Sequence, residues 1–363
     1  VRRRLVAVYE ESLASARGAS ARRLLRGMLL LCALVLLVSG GRLCHSGFLR
    51  DLSVVRHYRA PTAHPAQDSS RLRVMAYNIA HGRGSRSFSG QGEFQRVFSH
   101  ASRQSVLDNL RQVAGVIRAA DASVVALNEV DVHNTSSFDL DFVEVLLSEL
   151  SGEYPYAVHG TKWLFCMPFY QHHTGNAILS RYPLEEAENI DLGEGNLFNG
   201  LWGSHTALAA TIRHAGTRVT VVTTHLESAN NPFRLFGGEN TYRTRQSGRL
   251  LAWTQGRPHL ILAGDFNSVL SRQRMASSHL ATKYADDGTM ILIEEDPRWV
   301  LPPLEANPLD PRHFTAKTHR PTRTIDFIIP DTTFQIMAYD VIDADASDHR
   351  PVVAQLQIRA RPQ

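Results

Sequence analysis

Short apolar runs that carry or end in polar residues recur along this chain, and few folds accommodate such a series. They are "RLRVMAYNI" (71–79), "SVVALNEVD" (123–131), "RVTVVTTHLES" (218–228), "PHLILAGDFNS" (258–268) and "RTIDFIIP" (323–330). Each has strand length and β-forming composition. Between them lie stretches with helical spacing. Val106, Leu110, Val113 and Ile117 define one over Ser105–Ala119, broken at Asp121, and Phe142–Leu150 and Thr241–Trp253 read as two more. Strands alternating with helices imply an α/β fold of central sheets covered by helices. Polar groups at strand ends then project into a rim where loops meet, a usual place for a site. No repeat and no second domain boundary is visible after residue 70.

The polar residues embedded in or closing these runs are Asn78, Glu129, His225, Asp265, Asn267, Asp326, Asp348 and His349. Carboxylates and amides without cysteine are hard oxygen donors, suited to Mg2+ or Mn2+ rather than zinc. A divalent cation beside a phosphate neutralises charge in the transition state. An imidazole paired with a carboxylate can take a proton from water near neutral pH. Taken singly, Glu129 reads equally as a surface acid and His225 as a satisfied strand histidine. "GDFN" and "SDHRPV" are sharper, because Asp265 and Asn267 at i, i+2 share a face when extended.

In order along the chain, "MAYNI", "ALNEVD", "TGNAILSRYPL", "VTTHLES", "LAGDFNS", "TIDFII" and "ASDHRPVV" resemble the motifs of the endonuclease/exonuclease/phosphatase superfamily over about residues 71–357. That superfamily includes pancreatic-type deoxyribonucleases, neutral sphingomyelinases and inositol polyphosphate 5-phosphatases. The resemblance implies a four-layer α/β/β/α sandwich with two central, mainly antiparallel sheets. It also implies metal sites at Glu129, Asn78 and Asp348, the last as a helper acid or second-metal ligand. His225 would contact phosphate, and Asp265 and Asn267 would position nucleophile and phosphate. His349 would be the general base, oriented by Asp326. Two departures stand out: Asn128 where many relatives have Gln, and Ala80–His81 followed by a Ser- and Gly-rich insertion.

Charge divides unevenly. Residues 1–60 hold eleven Arg against three acids, a balance of +8, whereas the remainder holds 28 basic and 32 acidic side chains, −4. A domain at −4 gains no general support for nucleic-acid binding, which draws on Lys and Arg. Residues 1–45 read as a basic segment followed by a signal anchor or a cleaved secretory signal, with an uncharged run at 27–41. The Arg flank sets a cytoplasmic N-terminus, with the catalytic domain outside and membrane-anchored, or secreted if the segment is cleaved. Residues 46–70 read as a linker, and 71–359 as the catalytic domain.

Substrate choice is expected in the loops Gly82–Ser102, Lys162–His173 and Asn230–Asn240. The aromatic middle one either packs beneath itself or meets lipid, ligand or bases, and His172 and His173 read as solvated loop histidines. Cys44 with Cys166 is the one bridge compatible with the spacing outside the apolar run. The expected function is an exported or anchored metal-dependent phosphoesterase acting on a small-molecule or lipid-headgroup phosphate. The alternatives are a nuclease acting on DNA or RNA and a catalytically silent binding protein of the same fold.

Overall fold

The computed structural model describes residues 27–36, 54–60, 70–85, 102–167, 170–193, 204–228, 241–304 and 307–359. The central part of the Gly82–Ser102 loop, all of the Asn230–Asn240 loop and the Cys44–Cys166 pairing fall outside the described residues. The strands are β1 (Val55–Arg59), β2 (Arg71–Asn78), β3 (Val124–Asp131), β4 (Tyr156–Met167), β5 (Tyr170–Ser180), β6 (Leu184–Gly193), β7 (His205–His214), β8 (Thr217–His225), β9 (Leu260–Asp265), β10 (Asp326–Pro330), β11 (Phe334–Val341) and β12 (Val352–Ile358). They form a seven-stranded sheet in the order β1-β4-β5-β3-β2-β12-β11 and a five-stranded sheet in the order β10-β9-β8-β7-β6.

Alternation along the strands assigns the layers, because successive side chains leave opposite faces. On β2, Leu72, Val74 and Ala76 pack against Leu208, Ile212, Val221, Ile261 and Ile328 of the other sheet. Met75 and Tyr77, one residue out of phase, pack instead with Val106, Leu110, Val113 and Ile117 and with Phe142 and Leu146. On β9, Ile261 and Ala263 face inward, while Leu260 and Leu262 meet Leu250, Met290 and Ile293. Both faces of each sheet are therefore covered, which explains the unbroken apolar runs. Each sheet is mixed: β2–β3 and β8–β9 are parallel pairs and the other pairings are antiparallel.

The helices form where the spacing predicts. Arg103–Ala120 starts at a reciprocal Ser102–Ser105 capping box and ends where Asp121 turns left-handed. Asp121 thus stops the helix by backbone conformation. Phe142–Glu149 is capped by the Asp141 carboxylate, and Thr241–Trp253 is also helical.

Three expectations are corrected. Within the described residues, the basic N-terminal segment is helical over 27–36, and no described helix is long and apolar enough to cross a membrane. The signal-anchor reading is overturned, and with it the membrane as a partner through 27–41 and the anchored, outward-facing placement. Val55–Arg59, inside the 46–70 stretch read as a linker, is an edge strand on β4 with Arg59 opposite Tyr156. The 162–173 segment is not a loop: its described residues are the end of β4 and the start of β5, paired from Met167–Tyr170 inward. Its aromatic and other β-forming residues suit the strands of this hairpin.

Candidate active site

Five strands deliver the site to one edge of the sandwich. β2 ends at Asn78, β8 at His225 and β9 at Asp265, and β10 begins at Asp326. In register, Asp265 is opposite both His225 and Asp326. Asn128 ties this edge together from the facing sheet. Its Oδ1 accepts from the Asp265 backbone N–H at 3.0 Å, and its Nδ2 donates to Asn176 Oδ1 at 2.8 Å and Thr223 Oγ1 at 3.1 Å. The amide therefore reaches its partners despite being shorter than Gln. The approach is close enough to require glycine at 264, where φ is +122° and a Cβ would lie 2.2 Å from the Thr224 carbonyl oxygen.

Glu129 is presented by a bulge. The β3–β5 register shifts between Asn128 and Val130, and Glu129 itself has φ +56°. The inserted residue bends the strand and re-aims one side chain out of the alternation. Asn78 Nδ2 then donates to Glu129 Oε1 and Asp265 Oδ2, both at 3.2 Å. Its Oδ1 is occupied by the Ala80 N–H at 3.0 Å, so Asn78 faces the carboxylates with its nitrogen. As placed here, the Asn78 nitrogen faces the carboxylates beside the expected cation position.

His349 Nδ1 donates to the Asp326 carboxylate, at 3.0 and 2.9 Å from its two oxygens, and His349 Nε2 stands 3.8 Å from Asp265 Oδ2. Ser347 fixes this loop: its hydroxyl donates to the Asn78 carbonyl and accepts from the His349 N–H. His225 Nε2 lies 3.7 Å from Asp265 Oδ2 and 3.9 Å from Glu129 Oε1. Asn267, left-handed at φ +51°, donates its backbone N–H to Asp265 Oδ1 and its amide to the Leu226 carbonyl. The Asp348 carboxylate lies 4.0 Å from Lys317 Nζ, and its charge also acts on His349.

These charges strain one another. Burial and the neighbouring Asp326 push Asp265 up to about 7, with His349 pulling the other way. Burial opposes a charge on His349, yet Asp326 and Asp265 outweigh it and hold the imidazolium up to about 10. Burial, reinforced by Lys162, holds His225 well below the usual histidine range. Asp265, Asp326 and His349 present ligand atoms all within 4.8 Å of one another, a buried trio able to hold a divalent cation. The surplus of buried carboxylate supports that fit, since a cation is the natural counter-charge.

Two features escaped the sequence. His81, noted only as a departure, sits on the site: its Nε2 is 3.2 Å from Glu129 Oε2 and its Nδ1 2.7 Å from Asp131 Oδ1. His172 and His173, expected in a solvated loop, are buried in β5. Burial drives them down to about 4 and about 3 against the opposing charge of Asp131. His172 Nδ1 meets Asn134 Nδ2 at 3.1 Å and His173 Nε2 meets Thr161 Oγ1 at 2.8 Å. The apolar run Ala177–Leu179 at the end of "YQHHTGNAILS" was the available signal for a strand.

Comparison with known proteins follows the same lines. The pattern described as the Endonuclease/Exonuclease/phosphatase family matches residues 75–349. Among solved structures, an endonuclease/exonuclease/phosphatase from Beutenbergia cavernae DSM 12333 superposes with a TM-score of 0.55 at 22% identity, covering 80% of this chain and 72% of its own. The human Nocturnin catalytic domain with bound sulfate gives 0.52 at 17%, covering 84% and 97%. D. rerio TDP2 complexed with a single-strand DNA product gives 0.51 at 16%, covering 80% and 100%. No curated protein sequence matches the chain.

Proposed function

The chain belongs to the endonuclease/exonuclease/phosphatase family, and from that premise we propose that it is a Mg2+- or Mn2+-dependent phosphodiesterase whose substrate is a nucleic-acid strand. The observation that carries the reading is the His349–Asp326 pair set 3.8 Å from Asp265, beside Glu129 and His225.

Asp326 holds Nδ1 of His349, which leaves Nε2 to take a proton from water. Asp265 and Asn267 flank that path and position the water and the scissile phosphate. His225 donates from Nε2 to a non-bridging phosphate oxygen. Glu129 would hold the cation, steadied by the Asn78 amide, with Asp265 as a second carboxylate within reach of the same amide. When bound, the cation supplies charge neutralisation at the phosphate and at the leaving oxygen. Bound there, a cation would also offset the carboxylates that hold His349 protonated and free the imidazole to act as a base near neutral pH.

The membrane placement that favoured a lipid headgroup has been overturned. Support for nucleic acid comes from D. rerio TDP2, a protein of this fold solved with a single-strand DNA product. The −4 balance after residue 60 favours a second reading, a small phosphate ester. Incubating the full chain with single-stranded DNA, sphingomyelin and bis-p-nitrophenyl phosphate separates the readings. Cleavage of DNA and of the chromogenic diester with Mg2+ or Mn2+, lost in chelator, is expected. Cleavage of sphingomyelin alone would sink the nucleic-acid assignment.

A further inference from the structure

Glu129 is gripped on both oxygens. Asn78 Nδ2 takes Oε1 at 3.2 Å, and His81 Nε2 takes Oε2 at the same distance. The two grips come from one turn. Asn78 closes β2, its Oδ1 accepts from the Ala80 N–H, and the Gly82 N–H returns to the Ile79 carbonyl at 2.9 Å. Ile79 N–H donates in turn to the Asn128 carbonyl, which lashes the turn to β3 one residue before Glu129.

The turn is conformationally expensive. Ala80, His81 and Gly82 have φ of +48°, +52° and +65°, and Glu129 itself is at +56°. At Gly82 a Cβ would press on the Phe142 ring at 3.0 Å. Non-glycine residues in the left-handed region each cost on the order of 1 kcal/mol and cluster where geometry serves function. Here the conformation swings an imidazole over the bulged carboxylate.

Asp131 locks the ring. It is fully buried, accepts from His81 Nδ1 at 2.7 Å, and also takes hydrogen bonds from Asn134 Nδ2 at 3.0 Å and from the Ser137 hydroxyl. A carboxylate committed this way has no freedom to rotate, so the ring plane and the direction of Nε2 follow. His172 stands behind the imidazole with ring centroids 5.9 Å apart. An imidazole fixed by a buried carboxylate and aimed at a metal-binding carboxylate is the arrangement by which outer groups orient ligands.

We propose that His81, locked by Asp131, is a positioning residue that orients the Glu129 carboxylate for divalent-cation binding. This rests on the reading of Glu129 as the cation's holder, and the experiment keeps the two separable. Mn2+ affinity of the full chain is measured from the EPR signal of free Mn2+, which requires no turnover. H81G suits the left-handed backbone, and H81N, whose side chain tolerates it but is too short to span both carboxylates, is the second variant. Both are expected to bind Mn2+ roughly ten- to a hundredfold more weakly, with far-UV circular dichroism in chelator checking that both remain folded, since the buried Asp131 loses a partner. Added imidazole is expected to restore most of the affinity of H81G, because the ring is partly open to solvent, and none of that of H81N. Unchanged Mn2+ affinity in both variants overturns the proposal. So does a loss in H81G that imidazole leaves untouched, since that outcome assigns His81 to backbone support alone. If the variants bind as wild type and wild type hydrolyses diesters, only the role of His81 fails. If wild type neither binds Mn2+ nor hydrolyses any diester, the functional reading fails first.

Discussion

At the scale of single residues, Asp326 determines what His349 can do. The proposed base sits between two carboxylates, and its charge is set by the balance of burial against Asp326 and Asp265. His349→Ala is expected to lower kcat by roughly 10²–10⁴-fold, the usual worth of a positioned base, and initial rates on bis-p-nitrophenyl phosphate measure it. Mn2+ binding that survived in His349→Ala would place the cation at Glu129, and binding that vanished would place it in the trio. The same pair has a pH signature. Because the folded pKa of His349 is raised to about 10 from an ordinary 6.5, its stabilisation is fully present below pH 6.5. It is lost as pH rises through 10. The stability gap between wild type and Asp326→Asn should therefore be wide at pH 6 and narrow by pH 10–11 in chelator, as read by urea denaturation. A gap independent of pH would argue that Asp326 acts by packing alone.

At the scale of elements, the β4–β5 hairpin carries an acid sensitivity. His159, His172 and His173 are buried, and burial is the leading cause that lowers them to about 4, about 4 and about 3. The sign is opposite to that of His349. Below pH 6.5 the unfolded chain takes up protons that the folded hairpin refuses, so stability falls with pH and the loss is complete near pH 3–4. Replacing His173 with Gln is expected to flatten this acid limb, and thermal melts between pH 7 and pH 4 would reveal it. The strands and helices themselves were largely legible from sequence. Val106, Leu110, Val113 and Ile117 announce the Arg103–Ala120 helix, and Asp121 its end. The hairpin and β1 are not legible locally: the composition of 46–70 suits a linker and Pro168 interrupts 162–173, whereas pairing across β1–β4–β5 makes both strands. Tertiary context overrides such local preference.

At the scale of the whole molecule, the buried Asn128 amide joins the two sheets near the site. Asn128 links β3 to β5, β8 and β9, and its partners include the backbone N–H of Asp265. Asn128→Ala would strand buried donors and acceptors and is expected to cost about 3 kcal/mol, visible in the urea midpoint. A parallel fall in diesterase rate is expected, since Asp265 loses its anchor. Cation binding should act in the other direction: Mg2+ at a hundredfold excess over its Kd would stabilise the folded chain by about 2.7 kcal/mol, and a chelator would reverse the shift in melting temperature.

The amino-acid sequence by itself determined the α/β class, the order of the motifs and the chemistry of the donor set. Those properties are local: alternation of period two, helical spacing, and oxygen and imidazole groups at strand ends. Only the tertiary structure decided which atoms meet. It turned the nitrogen of Asn78 toward Glu129, buried His172 and His173, and brought His81 across fifty residues onto Asp131. Such contacts depend on strand register, on the bulge at Glu129 and on a left-handed turn, and a one-residue change in any of them would re-aim every side chain involved.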